Sequence, residues 1–137
     1  MMSITILVES LVNPTEDEKK VERALRNVFP SARIERETPS DTLRLRIRGE
    51  ELEFLSTLRS LIKQERIRSA ARGVLLSRTH GRRLHAYINK QAAFMGRISF
   101  CDPGGESPLG PISVVIDAAK PEDVVEYLTH RPELRHR

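Results

Sequence analysis

One heptapeptide constrains this chain more than any other segment. In residues 42–48, Leu43, Leu45 and Ile47 alternate with Arg44, Arg46 and Arg48. Side chains of a strand alternate between faces, so three aliphatic groups point one way and three arginines the other. Such a strand needs a sheet with one covered face and one wet face. A similar alternation in residues 3–12 sets Ile4, Ile6 and Val8 against Ser3, Thr5 and Glu9. Further strands are expected at 32–38, near a sheet edge, and at 82–89, 94–101 and 112–116.

Helical stripes fill the intervals. Val21, Leu25, Val28 and Phe29 follow Thr15, read as a cap to which Glu18 reaches back, and stop at Pro30. Leu52, Leu55, Leu58 and Ile62 stripe residues 50–63, and Ile67, Ala70, Ala71, Val74 and Leu75 stripe residues 66–77. Gly73 interrupts the latter, so either the helix frays there or something packs close to its backbone. A turn or short helical piece is expected at 90–93 and a loop with defined turns at 102–111. A last helix opens at Pro121, with Glu122 and Asp123 at its positive end and Val124, Val125 and Leu128 inward. The order describes an α+β domain, a mainly antiparallel sheet with helices packed on one side. At 137 residues, 39% hydrophobic and 31% charged, residues 1–137 form one domain with one core, and 131–137 is expected to be a loose basic tail.

Several function classes drop out. No apolar run approaches the roughly 18 residues of a membrane helix, and the amino terminus lacks the basic region and cleavage site of a secretory signal. Cys101 is the one cysteine, which excludes an internal disulfide and a cysteine-based zinc site, so a reducing cytoplasm is the expected compartment. His80, His85, His130 and His136 do not follow metal-ligand spacing, no phosphate-loop or dinucleotide fingerprint occurs, and Cys101 has no nearby base to make it a nucleophile. Neither catalytic residues nor a cofactor are expected.

Charge is where the chain is distinctive. The formal net charge is +4, yet residues 59–97 hold ten Lys or Arg against Glu65 alone, between two mildly acidic flanks. Same-face residues on a strand lie about 6.8 Å apart, close to the spacing of neighbouring phosphates, and guanidinium groups grip phosphate in bidentate fashion. Arg44, Arg46 and Arg48 are therefore candidate phosphate contacts, the alternative being cross-pairing with Glu35 and Glu37 on the preceding strand. Arg59, Lys63, Arg66 and Arg72, with Arg78, Arg82 and Arg83 beyond, would extend them into a trough if folding aligns helix and strand. Few aromatic residues are free for stacking, Tyr87 beside His85 being the plausible one, so backbone and shape recognition of a structured RNA is expected in preference to base reading. The residues assigned to it are Arg44, Arg46, Arg48, Arg66, Arg72 and Lys90. Two alternatives stand beside it: a protein-interaction or homodimerisation module without nucleic acid, and a small-ligand pocket around Asn89, Lys90, Gln91 and the Ser107 loop.

The string INKQAAFMGRISFC from Ile88 to Cys101, followed by ESPLGPI from Glu106 to Ile112, resembles the signature of a family of small archaeal proteins catalogued as RNA-binding. PTEDEKKVERAL and RIRSAARGVLL extend the likeness over nearly the whole chain, Gly73 being a departure from the pattern. The matching residues are Asn89, Lys90, Gln91, Phe94, Gly96, Ser107, Pro108, Gly110 and Pro111. The resemblance implies a fold similar to the large-subunit ribosomal protein that holds 5S rRNA, and an RNA partner, ribosomal RNA among the candidates.

Overall fold

The computed structural model describes residues 3–104 and 109–130. The expected tail at 131–137 lies outside the described residues, as do Ser107 and Pro108. Alternation becomes a six-stranded sheet in the order β2-β3-β1-β6-β5-β4, every neighbouring pair antiparallel. The strands are β1 (Ile4–Val12), β2 (Glu35–Glu37), β3 (Leu43–Gly49), β4 (Thr79–His80), β5 (Arg83–Ile88) and β6 (Ile112–Ala118). Ile6 and Val8 of β1, Leu45 and Ile47 of β3, Leu84 and Ile88 of β5, and Val114 and Ile116 of β6 are buried on one face. The helices α1 (Glu18–Val28), α2 (Ser56–Gln64), α3 (Arg68–Ser77), α4 (Lys90–Phe94) and α5 (Pro121–Thr129) supply the rest of that core through Val21, Leu25, Leu58, Ile62, Leu75, Val124 and Val125. The other face of the sheet carries Thr5, Glu9, the strand arginines, Ser113 and Asp117, together with the apolar Leu7, Leu11 and Val115. No described helix is long and apolar enough to cross a membrane.

Departures from the sequence reading have local causes. Helix α1 is capped by Asp17, whose carboxylate accepts from the Lys19 amide at 2.9 Å, not by Thr15. The chain still turns through Thr15, because the Glu16 amide donates to the Asn13 carbonyl at 2.9 Å and delays the helix. The 50–63 stripe opens as a 3-10 turn, Leu52–Leu55, before α2. Residues 94–101 form no strand. Helix α4 runs to Phe94, Gly96 reverses the chain at φ +78°, and only a single bridge between Ile88 and Phe100 joins β5.

Helix α3 runs unbroken through Gly73, and a Cβ placed there would meet nothing within 4 Å. Neither fraying nor close packing accounts for this glycine. Gly73→Ala is therefore expected to stabilise the protein by about 1 kcal/mol through lower unfolded-chain entropy, read as a higher urea midpoint with unchanged slope.

Candidate nucleic-acid interface

The three strand arginines lie on the sheet face opposite the helices, as their alternation requires. There the register delivers carboxylates to two of them. Glu9 of β1 stands opposite Arg46, and Glu37 of β2 opposite Arg44. Arg46 reaches Glu9 at 2.7 Å and Glu37 at 2.8 Å, and Arg44 reaches Glu37 at 2.9 Å and Glu9 at 3.8 Å. The hydrogen bond that Arg46 donates to Glu9 raises the Arg46 pKa further above its usual range. Half-buried charges so satisfied have little left for a phosphate. Arg48 alone of the three is exposed and has no ion-pair partner among the described residues. The expected trough of strand and helix arginines does not form either, because the sheet stands between the two sets.

Lys90 is not a surface cation. Only 5% exposed, its ammonium donates to the Leu11 carbonyl at 2.8 Å, the Leu109 carbonyl at 3.1 Å and the two Glu16 oxygens at 3.0 and 3.2 Å. Burial pushes the Glu16 carboxyl up, but the Asn13 backbone amide, the Lys90 ammonium and the Asn13 side chain outweigh it and hold the pKa below its ordinary value. Asn13 ties the same carboxylate to the Leu109 carbonyl through its side-chain amide, at 3.0 and 2.8 Å. The family-motif residues around Lys90 build turns. The Asn89 side chain accepts from the Ala92 amide at 2.8 Å and caps α4. Asn27 of α1 donates to the Ala93 and Phe94 carbonyls at the other end of α4, and Gly96 and Gly110 take φ of +78° and +83°. Phe94 is half-buried under the Lys20 ammonium. Pro111 leads into β6, and Gln91 is exposed. Lys90 and Gln91 line a groove of about 440 Å³ between α1 and α4, but Asn89 and Lys90 direct their polar groups into the protein itself.

Free positive charge gathers instead where α2 meets α3. Lys63, Arg66, Arg68 and Arg72 surround a cleft of about 420 Å³, with Ser69 and Thr129. The corner is a helix-ending turn in which the Ile67 amide donates to the Ile62 carbonyl and the Arg66 amide to the Lys63 carbonyl, at 3.3 and 3.1 Å. That turn places its penultimate residue in the left-handed region, where glycine is usual, and Arg66 occupies it at φ +61°. Lys63, Arg66 and Arg68 have no carboxylate partner among the described residues. Arg72 is shared with Glu126 of α5 at 2.9 Å, whose carboxyl His130 and Arg72 together hold below its usual range. The first turn of α3 carries no side-chain cap, so its backbone amides add to the positive field. The remaining basic residues of the middle are occupied: Arg78 by Asp102, Arg82 and Arg83 by Asp117, Arg97 by Glu65, and Arg59 by the Tyr127 ring.

Residues 5–118 match the family model described as RNA binding. A UPF0201 protein of Sulfolobus acidocaldarius is 40% identical over 124 residues, covering 90% of this chain and 86% of that one. The chain belongs to the archaeal UPF0201 family. A second UPF0201 protein, from Thermococcus kodakarensis, is 34% identical over 90% of this chain and 88% of its own. Among solved structures, a UPF0201 protein from Methanococcus jannaschii superposes with a TM-score of 0.79 at 27% identity, over 93% of each chain.

Family membership bears on fold and on RNA as a class of partner, and the electrostatics within this UPF0201 chain sort the candidate residues into paired and unpaired. Of the six assigned from sequence, Arg66 and Arg72 share one cleft. Arg44, Arg46 and Arg48 lie on the other side of the sheet, and Lys90 lies inside. Arg68 completes the cleft and was not singled out from the sequence. The available signal was the pair Arg66 and Arg68 at the break between two helical stripes, a place where a chain turns and its side chains splay outward.

Proposed function

We propose that this protein binds RNA without catalysis, in the cytoplasm, by gripping the phosphate backbone of a structured RNA at the α2–α3 corner. The reading rests on one observation: Lys63, Arg66 and Arg68 converge with Arg72 on one cleft and lack carboxylate partners among the described residues, while the strand arginines Arg44 and Arg46 are already paired. Left-handed backbone costs a non-glycine residue about 1 kcal/mol or more, so an arginine at position 66 of this chain supports a use for its side chain there. Recognition of this kind reads charge and spacing, not bases.

The test is the salt dependence of binding to an RNA hairpin. Each phosphate contact contributes about 0.7 to 0.9 to the slope of log affinity against log salt. Arg66→Gly is expected to flatten that slope by one such increment while stabilising the protein by about 1 kcal/mol, since glycine fits the left-handed site better. Lys63→Gln with Arg68→Gln should remove two more increments. Arg44→Gln with Arg46→Gln should leave the slope where it was. An unchanged slope in the corner variants would reject the site. RNA that fails to bind at low salt, with protein that sediments as a dimer, would favour a docking module.

A further inference from the structure

A second convergence of polar side chains lies away from that corner. Ser77, Arg78, His80, His85 and Tyr87 line a cleft of about 250 Å³. Topology assembles it. Helix α3 ends at Ser77, β4 turns into β5 through Gly81 at φ +61°, and the register sets His80 opposite Arg83. His80, His85 and Tyr87 therefore share the sheet face that no helix covers. The Arg78 guanidinium sits 5.3 Å from the centre of the Tyr87 ring. Its Nε is buried without a hydrogen-bond partner, one of two such side-chain atoms among the described residues. Neither histidine nor the Tyr87 hydroxyl has a side-chain hydrogen bond or ion pair among the described residues.

We propose that this cleft binds a phosphate group. Its lining offers a guanidinium, two imidazoles and a phenol, and no carboxylate, so it suits a ligand that only accepts hydrogen bonds and carries negative charge. Its volume falls below the roughly 300 Å³ at which sites for whole drug-sized ligands begin, which matches a phosphate better than an entire cofactor. Among the described residues Asp102 is the one competitor. It meets Arg78 through a single 2.8 Å contact and is 79% exposed, and exposed pairs of that kind are weak. Phosphate can take its place, accepting from both arms of the guanidinium.

The same chemistry is carried by free phosphate, by a phosphomonoester at an RNA end and by an internal phosphodiester. Titration of the full-length protein with sodium phosphate, against sodium acetate at matched ionic strength, should give saturable shifts of the His80 and His85 ring resonances with phosphate alone. Arg78→Gln should weaken that affinity about tenfold, as loss of a bidentate charged contact does, and Asp102→Asn should tighten it by freeing the guanidinium. The Lys63, Arg66 and Arg68 variants should bind phosphate here as the wild type does, which separates this cleft from the RNA corner. Competition by a 5′-phosphorylated oligoribonucleotide and not by its 5′-hydroxyl counterpart would assign the site to a monoester end, and equal competition to the backbone. Both outcomes sustain the proposal. Absence of a saturable phosphate response, unaltered affinity in Arg78→Gln, or weaker binding in Asp102→Asn would overturn it.

Discussion

Lys90→Met is expected to destabilise the protein by about 3 to 5 kcal/mol, the range for removing one partner of a buried ion pair. The side chains of Lys90 and Glu16 are 6% and 10% exposed, and the ammonium is the donor for two backbone carbonyls as well as the carboxylate. Methionine fills the space and satisfies none of these acceptors. The pair also joins three distant stretches, the turn from β1 into α1, the start of α4 and the chain before β6, so its loss loosens all of them together. Replacing Glu16 with leucine in the same protein should restore much of the loss, because an apolar pair leaves no uncompensated charge.

Acid unfolding supplies an independent sign. The Glu16 pKa is depressed below 4.5 in the folded protein. Its contribution is therefore fully present above the unfolded value and is lost as pH falls through the lower folded one. Without the ammonium the burial of the carboxyl has one fewer opponent, so the folded pKa moves up and the acid loss of stability flattens. Urea midpoints of wild type and Lys90→Met between pH 7 and 3 would show it. Identical acid limbs, or a cost below about 1 kcal/mol, would mean that Lys90 is a replaceable surface cation after all.

Lys90 also marks where sequence reading stops. Its neighbours Ile88 and Ala93 point toward the core, but its counter-charge lies 74 residues away, and no local pattern connects them. The strand arginines repeat the lesson. Period two correctly assigned their face, and strand-to-strand pairing with acids was a legible alternative. The pairing then combined Glu37 from the neighbouring strand with Glu9, which is 37 residues from Arg46 and arrives from the other side. Register decides which acid meets which arginine, and register follows from the whole sheet. The α2–α3 corner was legible in part, because a break between two helical stripes is local. The left-handed turn was not, since arginine stands where the usual glycine would have announced it.

Gly49→Ala should cost about 1 to 3 kcal/mol, the range for forcing a methyl group into a filled site. Gly49 ends β3 opposite Ile6, and a Cβ there would come within 2.5, 2.6 and 2.8 Å of ring carbons of Phe54. Those distances are too short for any carbon pair, so the ring must move. It cannot move freely, because Phe54 stacks on Phe29 with centroids 5.3 Å apart and planes 17° apart, and Phe29 is 1% exposed and enclosed by the core. Retreat of Phe54 would separate the two rings and shift the 3-10 turn that leads into α2. Phe54→Leu makes room for the methyl at the price of the stack, so in that background the further cost of Gly49→Ala should fall well below its cost in the wild type. Equal costs in the two backgrounds would show that the strain lies in the backbone of β3, and the glycine would then be required by the strand and not by the ring above it.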